Sequence, residues 1–371
     1  MYDHFSAMGA VWGAQFGLEV PNYFAQNGEP DFETPSFRRS NAWDAVKREV
    51  KAVRRSVGIN EVHNFSKFLV SGAHARAWLD RIMAGRIPQA GRLSLTPMLS
   101  PKGKLIGDFT VSCIREGLFQ LTASYGSQAY HQRWFEQNME PGVTLQNISD
   151  QRTGFQIAGP KAAEVLQACT TANVADIKFL DVTELVVGST ACLVQQVSYT
   201  GDHGFELYCD PMAQRALWDR LWEAGKPHGM TPFGMRAMMS LRLDRFFGSW
   251  LSEFSPDYTA AETGLDRFIA FRKNVDFIGR SAAEAERLTP PERQLVIFEV
   301  DAHDADAVAY EPVFINGTVQ GFCTSGGYSH HAEKSIAFAL VPRAEVTDDL
   351  QAEIEILGQL RPAKRLLEPL L

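Results

Sequence analysis

The sequence has few cysteines and no sign of a cysteine-based site. Its 371 residues include five cysteines, none of which stands in a Cys-x-x-Cys pair. This spacing argues against a disulfide framework and a zinc cluster, and it predicts reduced, mostly buried thiols in a cytoplasmic protein. The adjacent His330 and His331 have no third ligand at helical spacing, so no metal site is predicted.

Long apolar runs and charge clusters are also missing. No stretch approaches the roughly 20 apolar residues of a membrane helix, and the N-terminus lacks the basic region of a secretion signal. The net charge of −8 comes from 36 basic and 44 acidic residues without a long run of either sign. These absences argue against membrane and nucleic-acid partners. No Gly-x-Gly-x-x-Gly follows a predicted strand, which argues against a built-in dinucleotide site.

What the sequence does contain is a turn with an aromatic and an acidic residue beside it. Apolar runs at 191–197 and 205–208 flank two glycines, which accept positive φ and predict a tight hairpin connection. Tyr199 and Glu206 should then lie close together across it. A phenol beside a carboxylate suits a flat polar ligand, because the ring can stack while two oxygens accept parallel N–H bonds. The residues alone also permit a surface hairpin with Glu206 in water.

A second acid lies within a predicted strand. Residues 95–99 and 105–113 form a predicted hairpin, in which Asp108 stands among apolar neighbours. A carboxylate there costs free energy unless something pairs with it or its side chain faces water. The pattern leaves both possibilities open.

The order of elements predicts two related halves and a separate β domain. Residues 68–72 and 155–159 each form a predicted strand that ends in glycine before a helix, which suggests two sheet-and-helix halves. Beyond residue 292, short strands with turn residues predict a β-barrel or jelly roll. The predicted fold class is therefore α+β. Its predicted regions are a connector-like segment 1–31, a two-half region 32–287 and a β domain 292–371.

Helical spacing is present at three places. Four regularly spaced valines favour a helix from Trp43 that stops at Gly58. Residues 212–224 favour a second helix with a tryptophan pair on its core face. Thr231 is the predicted N-cap of a third helix, and Arg236 lies near the start of that helix. Because arginines are mostly exposed, Arg236 could equally be an ordinary surface residue.

Several short motifs follow one another along most of the chain. They are ETPSFRRSN at 33–41, LTPML at 95–99, GDFT at 107–110, YTGDHGFE at 199–206, PFGMR at 232–236, SPDY at 255–258 and TSGGY at 324–328. In this order they resemble the folate-dependent T-protein (aminomethyltransferase) superfamily, especially the folate part of dimethylglycine and sarcosine dehydrogenases. The resemblance runs from about Phe32 to Leu370.

The resemblance implies a three-lobed fold around a central channel that holds tetrahydrofolate. It implies that Asp108 is the catalytic carboxylate beside the reactive folate nitrogens. Six further side chains are implied to contact the cofactor: Tyr199, Glu206, Arg236, Phe65, Leu99 and Phe119. As bare residues, the last three are more typical of a core.

One segment departs from the family pattern. Ala260 stands where similar proteins have proline, and Thr263 where they have alanine. Because the resemblance places this segment on the substrate side, Tyr258 and Glu262 are candidate substrate residues and a changed substrate is expected. A surface acid is the other interpretation of Glu262.

The resemblance implies a small methylated substrate and leaves three functions open. The chain could act alone as a tetrahydrofolate-dependent demethylase that makes 5-methyl-tetrahydrofolate. It could instead be the folate subunit of a separate flavin dehydrogenase and form 5,10-methylene-tetrahydrofolate. The connector-like segment, with no flavin part expected before it, fits both functions. Similar non-catalytic proteins bind folate and assist iron–sulfur enzymes, but the cysteine of their motif is absent from residues 274–280.

Overall fold

Two β-sheets and a closed barrel carry most of the backbone. The computed structural model describes residues 1–371. Its α-helices are α1 (Tyr2–Ala7), α2 (Trp43–Arg55), α3 (Ala75–Ile82), α4 (Gln128–Gln137), α5 (Ala162–Gln167), α6 (Gln214–Gly225), α7 (Met235–Leu243), α8 (Ala260–Thr263) and α9 (Arg280–Leu288).

The strands outside the barrel are β1 (Ala10–Gln15), β2 (Leu18–Phe24), β3 (Gly58–Glu61), β4 (Phe65–Ser71), β5 (Arg92–Leu99), β6 (Leu105–Arg115), β7 (Leu118–Ser124), β8 (Thr144–Asn147), β9 (Thr153–Ala158), β10 (Val182–Val187), β11 (Thr190–Gln195), β12 (Gly204–Cys209) and β13 (Thr231–Pro232). The barrel strands are β14 (Arg293–Val300), β15 (Pro312–Ile315), β16 (Thr318–Ser329), β17 (Lys334–Pro342), β18 (Gln351–Ile356) and β19 (Gln359–Leu366).

The two sheets repeat one arrangement. The first has the strand order β5-β6-β7-β4-β8 and the second has β10-β11-β12-β9-β3-β13. In each, one strand is followed by a helix and a three-stranded antiparallel meander, and the meander packs back beside that first strand. Helices α3 and α4 supply apolar residues to the core of the first sheet, and α5 and α6 do so for the second. The predicted α+β class with two related halves is therefore confirmed.

A glycine at the same place in each half explains why the repeat is visible in the sequence. Gly72 follows β4 with φ of 123°, and Gly159 follows β9 with φ of 128°. A Cβ at Gly72 would collide with the carbonyl oxygen of Gly142, and one at Gly159 with that of Ser56. Both sites combine positive φ with close backbone approach, and only glycine tolerates this combination.

Two predicted helix boundaries are wrong. Helix α2 ends at Arg55, and Gly58 starts β3 instead of stopping the helix. The physical reason at Gly58 is packing, because a Cβ there would press into the side chains of Val53 and Phe233. Thr231 does not cap a helix either, since β13 pairs in parallel with β3 and α7 begins only at Met235.

The barrel closes in the order β14-β17-β16-β15-β18-β19 around its own apolar core. Asn316 and Gly317 connect β15 to β16 with φ values of 54° and 75°. Both are positive, as a tight Asn-Gly hairpin turn requires. All five cysteines are buried and free, as predicted. None of the helices combines the length and the apolar character needed to cross a membrane.

The N-terminal hairpin β1–β2 is fastened to the rest of the chain by a buried carboxylate. Glu49 of α2 is 1% exposed, and its two oxygens accept hydrogen bonds from the backbone N–H of Phe24 at 2.6 Å and of Gly234 at 2.9 Å. It therefore joins β2 to the residue that precedes α7. Burial raises the pKa of Glu49 to about 8, although the two N–H bonds oppose this rise.

The raised pKa of Glu49 predicts a pH-dependent stability. Because the folded-state pKa lies above the unfolded value near 4.5, the folded protein binds the extra proton. The stability contributed by this proton is therefore present at low pH and is lost as the pH rises towards 8. We expect Glu49→Gln to flatten the fall of unfolding free energy between about pH 5 and 8, measured by urea denaturation. Glu368→Gln, at an exposed residue, is the control. If the unfolding free energy of Glu49→Gln fell with pH as steeply as that of the wild type, the raised pKa of Glu49 would be contradicted.

Candidate functional site

A cavity of about 970 Å³ lies between the two sheets. Its walls come from β3 to β7, β9, the residues before β12, helix α7 and the segment 245–254. Four of the predicted site residues line it: Phe65, Asp108, Tyr199 and Glu206. The other five do not. Predicted residues from both halves therefore meet at one cavity, because the two halves face each other across it.

Asp108 presents a carboxyl group to the cavity from the middle of β6. It stands opposite Pro97 of β5 in the predicted hairpin, in which residues 92–99 pair with residues 105–113 with one irregularity between Met98 and Leu99. Burial raises the pKa of Asp108 to about 6, opposed by a hydrogen bond from its own backbone N–H. No other residue contributes to this shift. The carboxyl group can therefore exchange a proton close to neutral pH.

Glu206 lies on β12 and is 8% exposed. The hydroxyl of Tyr208, two residues along on the same face of the strand, donates a hydrogen bond to its Oε2 at 2.7 Å. Burial raises the pKa of Glu206 to about 7, while Tyr208 and the nearby Lys67 oppose the rise. One oxygen is thus held by the protein while the carboxylate still faces the cavity.

Lys67 is a buried cation on β4 that sequence reasoning missed. Its side chain is fully buried, and Nζ donates to the carbonyl oxygen of Phe65 at 2.8 Å and of His63 at 3.3 Å. Burial lowers the pKa of Lys67 to about 7, and the charge of Glu206 opposes this effect. A lysine within the predicted strand at 68–72 and its approach, flanked by Phe65 and Phe68, was the available signal, because such a residue must find partners inside the protein.

The connection that carries Tyr199 differs from the predicted tight turn. Gln195 pairs with Glu206, so residues 196–203 form a longer loop outside the sheet. The loop is held by the buried guanidinium of Arg54, which forms an ion pair with Asp202 and donates to the carbonyl oxygen of Thr200 at 2.9 Å. A contact from α2, far away in the sequence, therefore holds the loop in addition to local hydrogen bonds from Thr200 N–H to Ser198 and from Asp202 N–H to Thr200.

Tyr199 uses its hydroxyl within the protein. The hydroxyl donates to the carbonyl oxygen of Gly248 at 2.7 Å, and the ring stacks on Phe247 with centroids 5.9 Å apart. Because its donor is occupied, Tyr199 offers a ligand its ring and the remaining oxygen lone pair.

The cavity wall at 245–254 is supported by the barrel. Arg242 and Glu253 form an ion pair at 3.3 Å with side chains 1% and 0% exposed. Glu253 also accepts hydrogen bonds from the hydroxyls of Thr324 at 2.7 Å and Ser325 at 2.5 Å. These two residues belong to the TSGGY motif on β16, so that motif positions the wall from behind.

Two of the predicted apolar contacts lie in cores and not in the cavity lining. Leu99 and Phe119 are both fully buried. Leu99 packs in a cluster with Ala283 and Phe277 beneath the segment around α9. Phe119 lies in the core of the first sheet, where the Arg76 guanidinium is 5.3 Å from its ring. The residue types predicted burial, but only the packing shows which apolar side chains reach the cavity.

The remaining three predicted residues are held by other contacts. Arg236 is exposed and pairs with Glu33 at 3.2 Å. Glu262 accepts the Thr259 backbone N–H in the capping box of α8 and pairs with Arg293 at 2.9 Å. The same guanidinium lies 5.7 Å from the ring of Tyr258. These contacts favour structural roles, and none of the three lines the cavity.

The family comparisons cover nearly the whole chain. The sequence-family model of the GCVT N-terminal domain matches residues 1–273. The family model of the glycine cleavage T-protein C-terminal barrel domain matches residues 293–371. The crystal structure of glycine cleavage system aminomethyltransferase T from Bartonella henselae has the same fold, with a TM-score of 0.87 and 21% identity over 100% of this chain and 96% of that one.

Two curated relatives give the same result. Human mitochondrial dimethylglycine dehydrogenase is 36% identical over 363 residues, which are 96% of this chain and 42% of that protein. The aminomethyltransferase of Geobacillus sp. (strain WCH70) is 29% identical over 330 residues, 88% of this chain and 90% of that one. The chain thus spans less than half of the dehydrogenase. With both domain models matched and the fold shared, the chain belongs to the glycine cleavage T-protein (GCVT) family, as its motifs predicted.

Proposed function

We propose that this chain transfers a one-carbon group to tetrahydrofolate, as a methyltransferase or demethylase of a small methylated compound. The observation that carries the proposal is the convergence of Asp108, Tyr199 and Glu206 on one cavity. Asp108 comes from the first sheet, whereas Tyr199 and Glu206 come from one motif of the second, and burial raises the pKa values of both carboxyl groups towards neutrality. Family membership supports the same chemistry, since the Geobacillus aminomethyltransferase matches this chain over 90% of its own length.

The residues present fit a flat, nitrogen-rich ring. Tyr208 occupies one lone pair of Glu206 Oε2, so both carboxylate oxygens can still accept a hydrogen bond. The amino group and an adjacent ring N–H of a pterin form two parallel donors of the kind that a carboxylate binds. Phe65 and the Tyr199 ring supply apolar surface within the same lining.

Asp108 manages a proton in this proposal. Tetrahydrofolate would supply the nucleophilic nitrogen that takes up the one-carbon group. With a pKa of about 6, Asp108 is mostly ionised at pH 7 and can accept a proton from that nitrogen or stabilise positive charge on it. The apolar surroundings strengthen this electrostatic effect.

The donor decides between two versions of the reaction. A neutral methylamine is a poor methyl donor, because an amide ion would have to leave. A quaternary ammonium, a sulfonium or an activated aryl ether can release its methyl group directly. A secondary or tertiary amine must first be oxidised to an iminium ion by a flavin dehydrogenase. The similarity to dimethylglycine dehydrogenase favours this second version, in which a flavin dehydrogenase supplies the iminium ion.

Mass spectrometry of the folate products tests the proposal. The pure chain is incubated with tetrahydrofolate and a panel of methylated amines, betaines, sulfonium compounds and aryl ethers, with and without a flavin dehydrogenase. 5-Methyl-tetrahydrofolate without the flavoprotein identifies a demethylase and its substrate class. 5,10-Methylene-tetrahydrofolate formed only with the flavoprotein identifies the acceptor of a split dehydrogenase. Binding without any product would instead favour a non-catalytic folate-binding protein.

Replacing Asp108 should separate catalysis from binding. Asp108→Asn keeps the shape of the side chain and removes the base, so we expect kcat to fall about 10²–10⁴-fold. The Kd for tetrahydrofolate should change little. In the wild type, kcat should rise with pH through about 6 as the carboxyl group ionises, and the variant should lose this limb. The exposed Asp176→Asn serves as the control. A large loss of affinity with unchanged kcat would contradict the role.

Tetrahydrofolate affinity should depend on the ionisation of Glu206. Binding should strengthen as the pH rises through about 7, because the carboxylate is the form that accepts two N–H bonds. Tyr208→Phe removes the hydrogen bond that favours this form, so the midpoint of the pH dependence should move to higher pH. Glu206→Gln should abolish the midpoint of this pH dependence of binding.

Titration calorimetry between about pH 6 and 9 measures this effect. The matched control is Tyr23→Phe, which removes another buried hydroxyl, bonded to the carbonyl oxygen of Phe32 at 3.2 Å outside the cavity. A midpoint that does not respond to Tyr208→Phe would show that the hydroxyl does not set the charge of Glu206.

A further inference from the structure

Four amide and carboxyl side chains form one row across the second sheet. Gln195 on β11 pairs with Glu206 on β12, Glu206 pairs with Gln156 on β9, and Gln156 pairs with Asn60 on β3, all in antiparallel register. Directly opposed residues present their side chains on the same face about 5 Å apart. Their exposed fractions are 0%, 8%, 1% and 7% in that order. The polar row is therefore a buried feature of the sheet.

Three members of the row, Asn60, Gln156 and Glu206, line the cavity. The orientation of their amides follows from one strong contact, in which Asn60 Nδ2 donates to the carbonyl oxygen of Phe233 at 2.6 Å. The other atom of the Asn60 amide is then Oδ1, and it faces Gln156 Nε2 at 3.4 Å. Gln156 Oε1 is left pointing away from Asn60.

Gln156 Oε1 has no hydrogen-bond partner within the protein, although it is buried. A buried carbonyl oxygen without a donor costs about 1–3 kcal/mol. Such a group in a cavity wall is satisfied when a ligand brings an N–H to it. It lies beside Glu206, to which the proposed function assigns the amino and ring N–H groups of the pterin.

We propose that Gln156 is a second ring-binding residue, which accepts a hydrogen bond from the N8–H of a reduced pterin. The proposal rests on the proposed function. In a tetrahydropterin, N8 carries a hydrogen and stands on the same ring edge as the 2-amino group, with the acceptor N1 between them. In an oxidised folate, N8 carries a lone pair in its place and would face the Gln156 oxygen with another acceptor. Gln156 thereby gives the cavity its preference for the reduced cofactor.

A double-mutant-type cycle of binding measurements, in which both the protein and the ligand are altered, tests this contact. The ligands are tetrahydrofolate and its 8-deaza analogue, in which a methylene group replaces N8–H; folic acid is the oxidised comparison. The protein variant is Gln156→Met, which keeps the length of the side chain and removes the amide. We expect the wild type to bind tetrahydrofolate about tenfold or more tighter than the analogue, and the variant to bind both alike.

Gln195→Met is the matched control, because it removes the same amide from the other side of Glu206 at a position that does not line the cavity. This control should keep the wild-type ratio between the Kd values of tetrahydrofolate and its 8-deaza analogue. If Gln156→Met does not fold, Gln156→Leu is measured in the same cycle. A wild-type protein that binds no tetrahydrofolate would overturn the proposed function. Tetrahydrofolate binding with an unchanged ratio in the Gln156 variants would overturn only the role of Gln156.

Discussion

The buried guanidinium of Arg54 is the interaction on which the site depends most. Its side chain is 5% exposed and forms ion pairs with Asp202 and Asp244. Asp202 belongs to the loop that carries Tyr199, while Asp244 follows α7 and accepts a hydrogen bond from Ser329 of the barrel. One cation of α2 thus fixes the loop, the end of α7 and the barrel relative to each other. Removal of such a cation leaves two buried carboxylates unpaired, which is among the costlier changes a protein core can undergo.

Desolvation sets the chemistry of the cavity. Burial raises the pKa of both Asp108 and Glu206, but the surroundings treat them differently. Glu206 receives a hydrogen bond from Tyr208 and has Lys67 nearby, so the protein supports its charged form. Asp108 has no such partner side chain. A supported carboxylate suits binding and an unsupported one suits proton exchange, so the two acids are matched to the two tasks proposed for them.

The two halves share one topology but contribute different groups. Asp108 comes from the meander of the first half and Glu206 from the meander of the second. The cavity between them needs both, whereas the barrel supports the cavity wall at 245–254 from behind through the contacts of Glu253 with Thr324 and Ser325. The motifs that resemble the family therefore include residues of the lining and residues that hold the lining in place.

The sequence by itself determined features whose cause is local. Gly72 and Gly159 mark the repeat because no other residue tolerates their φ and backbone contacts. The motifs around Asp108, Tyr199 and Glu206 drew attention to three residues that line one cavity. Only the tertiary structure decided features whose cause lies far along the chain. The loop 196–203 is held by Arg54 of α2. The side chains of Leu99 and Phe119 turn into cores. The polar row from Asn60 to Gln195 exists because four strands align in register. An apolar or amide residue carries no local mark of the face it will occupy, because that face is fixed by strand pairing and packing between distant segments.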